Sequence, residues 1–315
     1  MTSKRSCSPL LARGGFVAGA RGGLDVVLVD LRDGTERAMR LPDDADGLVL
    51  SPDGGLLLAT GLDGVSTLDT AGQVIATART NGPVARAAIT DEGFAAAVDR
   101  HDVDGPALYA WRGSQLVPVT AEPTALGEVH AEGFDVDDAT TSVVLWGALE
   151  AGDRFVNIVT VDDDGAHIAW SGGGLPIEPQ MFRFTTAHTL VVHDRHRIAI
   201  VDIAALAGGT LPEEGLDASV VAVDDVAVSG VSPNGRYVVW GHSKDTAGLV
   251  VASVQLPAGT RREHGELPDG LSSELVAISN EGVVTVAAAT GREEVGIWSG
   301  SGARLDEVRR LRPRA

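Results

Sequence analysis

Cysteine is almost missing from this chain. Cys7 is the only one in 315 residues, so no disulfide can form within it. Long apolar runs are missing too, and nothing approaches the roughly 18 residues of a membrane helix. The basic start at Lys4 and Arg5 precedes only a short apolar segment, Leu10 to Ala12, which Arg13 ends. No secretory signal core follows. These absences lead to the expectation of a soluble, cytoplasmic protein. Positive charge is scarce: 25 Lys and Arg stand against 44 Asp and Glu, giving a formal net charge of −19 and a pI near 4.7. Nucleic-acid binding draws on a basic surface that releases counterions, so the balance argues against it. The arginine-rich end, Arg309 to Arg314, reads as a solvated terminus. Lysine occurs only at Lys4 and Lys244, and Ala, Gly, Val and Asp are abundant, a composition that suggests a GC-rich bacterial genome. No Gly-x-Ser-x-Gly elbow and no Gly-x-x-x-x-Gly-Lys phosphate loop occurs, which argues against a covalent hydrolase and a nucleotide-phosphate site.

What is present is strand and turn. Hydrophobic residues make up 44 % of the chain, enough for a sizeable core, although aromatics are only 4 %. The stretch Gly230 to Gly259 shows the unit. Ser232-Pro233-Asn234-Gly235 is a tight turn, because Pro presets φ and Asn-Gly accepts positive φ. A β-branched and aromatic run follows from Tyr237 to Trp240. Then come a polar loop, the apolar run Leu249 to Val254, and another turn at Pro257-Ala258-Gly259.

The pattern recurs. Its anchors are Gly14, Gly54, Gly93, Ala139, His188, Gly235 and Gly282. They lie about 40 to 50 residues apart, and the residues outside the first and last anchors make up about one more period. Blade four is read as turning at Asp135 to Ala139 and blade five at Thr185 to His188, both without the glycine. Seven units of four short strands give an all-β fold: a seven-bladed β-propeller with four-stranded antiparallel blades around a central channel. One domain is expected over residues 1–315, with blades at about 6–45, 46–82, 83–125, 126–174, 175–225, 226–270 and 271–313. Fourth strands should carry charge, because an exposed edge otherwise pairs with other chains. Thr35 to Leu41 and Arg304 to Arg309 fit that role. Residues Ser6 to Leu11 are read as the inner strand of blade one, so that blades one and seven meet by side-chain packing alone. The rival reading has the N-terminal segment completing blade seven.

Ser51-Pro52-Asp53-Gly54, Ser232-Pro233-Asn234-Gly235 and Val29-Asp30-Leu31-Arg32-Asp33-Gly34 resemble the repeats of WD-repeat and TolB-like β-propellers. The likeness spans nearly the whole chain and is strongest in blades one, two, six and seven. No blade has the Trp-Asp pair or Gly-His start of a strict WD repeat; Trp111-Arg112 and Trp298-Ser299 stand near that place. Such propellers include enzymes, scaffolds and ligand binders, so the resemblance implies a fold rather than an activity.

The loops between second and third strands, with the starts of inner strands, should share one face at the channel mouth. The candidate ligand-binding residues there are His101, His130, Glu178, Arg183, His193 and His242. Histidine beside carboxylate suits acid–base work near neutral pH, and arginine can hold an anion. His167, His188 and His264 are expected elsewhere. Asp102 to Gly105 and Asp162 to Gly165 resemble fragments of calcium loops but lack the distal Glu, and no two histidines have zinc-motif spacing. No metal and no cofactor is assigned. The expected function is a ligand- or protein-binding module using the loop face at the channel mouth. The alternative is a non-covalent enzyme (lyase, isomerase, cyclase or metal-assisted hydrolase) acting on a small molecule there. The expected partner is a protein or a small-molecule ligand, with neither nucleic acid nor membrane, and the chain is expected to be a monomer.

Overall fold

Valine, leucine and alanine in short runs between turn residues leave the chain one favourable option, which is many short strands buried on both faces. A computed structural model shows that arrangement. It describes residues 8–13, 15–22, 24–43, 45–80, 82–99, 108–112, 115–117, 129–137, 141–149, 154–162, 165–171, 181–185, 189–202, 219–223, 226, 228–243, 249–256, 258–267, 272–290 and 294–312.

Blade one consists of β1 (Ser8–Arg13), β2 (Phe16–Gly22), β3 (Asp25–Asp30) and β4 (Glu36–Arg40). Blade two has β5 (Ala45–Leu50), β6 (Leu56–Gly61), β7 (Gly64–Asp69) and β8 (Val74–Arg79). Blade three has β9 (Val84–Ile89), β10 (Phe94–Asp99), β11 (Leu108–Arg112) and β12 (Gln115–Val117). Blade four has β13 (Val129–Asp137), β14 (Ser142–Leu149), β15 (Arg154–Asp162) and β16 (Gly165–Ser171). Blade five has β17 (Met181–Phe184), β18 (Thr189–His193), β19 (Arg197–Asp202) and β20 (Ser219–Ala222). Blade six has β21 (Val228–Val231), β22 (Tyr237–Ser243), β23 (Leu249–Gln255) and β24 (Thr260–Glu266). Blade seven has β25 (Ser272–Ile278), β26 (Val284–Ala289), β27 (Val295–Gly300) and β28 (Asp306–Leu311).

Each sheet pairs its four strands antiparallel and in sequence order. First strands neighbour one another around the axis: β1 lies against β5 and β25, β9 against β5 and β13, and β13 against β17. The protein is therefore a seven-bladed β-propeller. No described residue is helical, and so no helix among them is long and apolar enough to cross a membrane.

The core sits between blades, and the two-residue strand period distributes it. In β2, Phe16 and Ala18 pack with Leu50 and Leu57 of blade two, while Val17 turns the other way to Ala287 and Ile297 of blade seven. In β22, Val238 and Trp240 face blade five and Val239 faces blade seven. A strand sandwiched this way needs apolar residues at successive positions, which explains runs such as Leu56 to Ala59. Trp111 and Trp298 are both buried in third strands, β11 and β27.

The turns explain their own sequence. Gly54 N–H donates to the Ser51 carbonyl at 3.0 Å, and Ser51 Oγ accepts from Leu56 N–H at 3.1 Å. Asp53 Oδ1 takes Gly55 N–H at 2.7 Å, and Gly54 has φ +75°. Blade six repeats the set with Ser232, Asn234 and Gly235. The turns also join successive blades: Asp53 N–H donates to Asp91 Oδ1 at 2.8 Å, and Asn234 N–H to Asn280 Oδ1 at 2.9 Å. Gly230 marks the close approach of blades six and seven, where a Cβ would lie 2.6 Å from the Val276 carbonyl oxygen.

Three features depart from expectation. The blade-four turn is not at Asp135 to Ala139: β13 continues through Asp137, because the buried Asp135 carboxylate accepts a hydrogen bond from blade five and so stays in an inner strand. Blade one does keep its own inner strand, but blades one and seven are joined by more than packing. Arg309 of β28 donates to the Gly34 carbonyl and pairs with Glu36 at 3.1 Å. The outer strands β4 and β28 carry charge, whereas β8 leaves Val74 and Ile75 exposed.

Candidate functional site

Arg13 ends β1, in blade one, yet its Nη2 lies 3.9 Å from Asp135 Oδ1 in blade four. These blades are not neighbours, so the guanidinium reaches across the axis of the ring. Its Nη1 donates to the Leu50 carbonyl of blade two at 3.2 Å. Asp135 Oδ2 accepts Phe184 N–H of blade five at 2.8 Å. One arginine and one carboxylate thus tie four blades together near the turn end of the channel. Burial pulls the Arg13 guanidinium below its ordinary pKa; the Asp135 charge opposes this and the Arg183 charge adds to it.

The opposite rim carries the loops between second and third strands. His193, the last residue of β18, is 4 % exposed. Its Nδ1 lies 2.9 Å from the Asp194 carbonyl oxygen, and its Nε2 lies 2.5 Å from Ser229 Oγ on β21. A carbonyl only accepts, so Nδ1 carries the proton. In the neutral ring Nε2 then accepts from the Ser229 hydroxyl. Burial lowers the His193 pKa, the Asp194 carbonyl and carboxylate resist, and the Arg183 charge lowers it further. The neutral tautomer therefore prevails near neutral pH.

The adjoining loop is pinned. Asp194 Oδ1 accepts the N–H groups of His196 and Arg197 at 2.7 and 2.6 Å, and Oδ2 meets the Arg197 guanidinium at 2.7 and 2.8 Å. The Arg195 and His196 carbonyls accept Val226 and Val223 N–H groups from the connection to blade six. Arg195 and His196 are left exposed on a fixed frame.

Of the sequence candidates, the structure places two with their side chains. Arg183 sits in β17, half-buried, with its charge felt at both Arg13 and His193. His193 lies where the loop begins. His130 is the second residue of β13, opposite Ala148, and His242 is opposite Val250 within β22 rather than in the following loop. Register thus puts His130, His193 and His242 toward the same rim of their blades. His101 and Glu178 lie outside the described residues, as does His188. His264 is on the outer strand β24 as expected, but buried, with Nδ1 2.8 Å from the Gly302 carbonyl oxygen and Nε2 2.7 Å from Ser253 Oγ. His167 is in the outer strand β16. Among the described residues no three metal-ligating side chains come together.

Sequence reasoning missed Arg13 and Ser229. Arg13 had a signal, a lone charge in the apolar course of an inner strand, but it reads equally well as the end of a short apolar segment. Ser229 had none, because its partner His193 is 36 residues away in another blade.

No known family matches the sequence, and no curated protein does. Solved structures match the fold. A chain of a mitotic checkpoint complex aligns with a TM-score of 0.59 and 14 % identity, covering 95 % of this chain and 91 % of its own. The U3-55K structure aligns with a TM-score of 0.51 and 16 % identity, over 85 % and 82 %. A candidate 6-phosphogluconolactonase from Bacteroides fragilis aligns with a TM-score of 0.53 and 13 % identity, over 99 % and 96 %. At such identity the likeness is one of fold, that of a seven-bladed β-propeller.

Proposed function

We propose that the chain acts as a single propeller domain and a binding module, taking a protein partner on the rim formed by its second-to-third-strand loops. The observation that carries this is the pinned Asp194–His196 loop. Polar side chains on a fixed frame lose little entropy on docking, which favours recognition. Leu62, 63 % exposed at the tip of the blade-two loop on that rim, adds an apolar contact. The fold neighbour from a mitotic checkpoint complex is itself part of a protein assembly. The protein is proposed to be a cytoplasmic monomer until it docks, with neither membrane nor nucleic acid as partner.

Crosslinking with mass-spectrometric readout tests the face. Only Lys4 and Lys244 are lysines, so a carboxylate-reactive reagent is needed. Partner crosslinks should fall on Asp63 and Glu294, beside the loops of that rim. Crosslinks confined to Asp53, Asp91 and Glu281 would move the interface to the turn side. A second reading, an enzyme acting on a small molecule at the same mouth with His130, Arg183, His193 and His242 near its substrate, is favoured by the buried neutral imidazole of His193. A small molecule retained at one per chain in native mass spectrometry would support that reading instead.

A further inference from the structure

We propose that Ser229 is a nucleophile activated by His193, at a site on the loop rim between blades five and six that takes carboxylic esters or lactones. The parts are in place. Ser229 Oγ is 2.5 Å from His193 Nε2, and His193 Nδ1 is held 2.9 Å from the Asp194 carbonyl oxygen. Nucleophile, base and orienting acceptor thus form one chain of hydrogen bonds, the arrangement that raises the reactivity of a serine hydroxyl. The orienting carbonyl is on a rigid loop, since the Asp194 carboxylate fixes His196 and Arg197 beside it. Arg183, in the neighbouring inner strand, adds a positive charge felt at His193.

A second serine–histidine pair in the molecule provides the contrast. His264 holds Ser253 Oγ through Nε2 and the Gly302 carbonyl through Nδ1. There both residues are buried, at 1 % and 5 % exposure, in the outer half of a blade. That pair is a structural bridge. Ser229 is half-buried, the second residue of β21 at its rim end, and so is the more open of the two.

In the proposed step Ser229 Oγ attacks the carbonyl carbon and a C–O bond forms. The hydroxyl proton passes to His193 Nε2. The intermediate collapses, the bond to the alkoxide breaks, and His193 returns the proton to the leaving oxygen. Water then attacks the acyl carbon while His193 Nε2 takes its proton; the acyl C–Oγ bond breaks, His193 hands the proton to Ser229 Oγ, and the acid is released with free Ser229.

A fluorophosphonate tests this on the full chain. Attack by Ser229 forms a P–O bond and expels fluoride, leaving a mass tag that peptide sequencing locates. Ser229 should be tagged to near one per chain, while Ser253 stays untagged. His193→Asn keeps a donor toward the Asp194 carbonyl but has no base at the Nε2 position, and should slow tagging about 100-fold or more. p-Nitrophenyl acetate hydrolysis should fall with it and vanish in Ser229→Ala. Wild-type tagging should also slow as pH drops through the His193 pKa, which provides the test if the Asn variant does not fold. Ser229 tagged no more than Ser253, or a tagging rate unchanged by His193→Asn and flat with pH, overturns the proposal and leaves the pair a bridge between blades. A chain that docks a partner on this rim while Ser229 stays untagged would separate this inference from the binding role.

Discussion

Asp135 holds two loads on one carboxylate. Oδ2 satisfies a buried backbone N–H of the next blade, and Oδ1 faces the Arg13 guanidinium from across the axis. Asp135→Ala leaves the Phe184 N–H without its acceptor and Arg13 with the Leu50 carbonyl but no counter-charge, and leaving a buried donor unpaired costs about 1–3 kcal/mol. Urea denaturation should show that loss as a lower midpoint at unchanged slope. A second residue-scale effect lies in the turns. Asp91 is pushed up to about 6, first by burial and then by sharing a proton with Asp53. Burial also pushes Asp53 up, but hydrogen bonds from Asp91, Gly55 N–H and Ser51 outweigh it and hold Asp53 below its usual value. Between the ordinary carboxylate range and about 6, the folded protein binds more protons at Asp91 than the unfolded chain does. Stability contributed by that site therefore falls as pH rises through this window, and the penalty is fully present above it. Asn280 fills the same role in blade seven without charge, accepting Asn234 N–H at 2.9 Å. Asp91→Asn should thus raise the melting temperature at pH 7.5 and leave it nearly unchanged at pH 4, which paired thermal scans at the two pH values would show.

Among the elements, the turn between first and second strands is where glycine matters most. Gly54 and Gly93 both have positive φ, at +75° and +85°. A Cβ on Gly54 would lie 2.3 Å from the Phe16 ring, which is buried and carries Arg32 over its face at 4.6 Å. A Cβ on Gly93 would meet Leu56 at an ordinary 3.7 Å. Gly93→Ala should therefore cost only the left-handed backbone, about 1–2 kcal/mol. Gly54→Ala should cost clearly more, and equal losses in a denaturation series would show that the Phe16 contact yields freely. The outer strands differ in a related way. Charge on β4 and β28 blocks edge pairing, whereas Val74 and Ile75 leave β8 unguarded. Ile75→Lys should reduce self-association at high concentration, read by light scattering, with little change in melting temperature.

For the whole molecule, closure depends on the first strand. β1 pairs with β2 and lies against β5 and β25, so the ring has an N-terminal inner strand without any exchange between its ends. Deleting residues 1–12 removes nearly all of β1 and bares the β2 ladder, and leaves Arg13 without the strand that places it opposite Asp135. Loss of the cooperative thermal transition is the expected result. An unchanged melting curve would mean that the inner ladder of blade one is dispensable. Arg309 fastens the same junction from outside through Gly34 and Glu36, but that pair is partly exposed and should matter far less.

Local chemistry sets the repeat, and through it the fold. Ser-Pro-Asp-Gly and Ser-Pro-Asn-Gly turns are local chemistry, because each side chain bonds its own backbone within a few residues. Apolar runs of strand length between those turns leave few alternatives to blades, and the charged course of β4 and β28 marks them as outer edges. Only the first turn of blade four falls later than the sequence suggests, because the partners of Asp135, Phe184 and Arg13, lie far away in the chain. The site was legible only as residue types. The sequence suggests histidines on one rim, and for His130 and His242 the structure gives only a position in strand register. Which of them holds a hydroxyl, and which arginine crosses the channel, was decided by the tertiary structure alone. Ser229 meets His193 and Arg13 meets Asp135 only when blades distant in sequence are brought together around one axis, and no local spacing encodes that meeting.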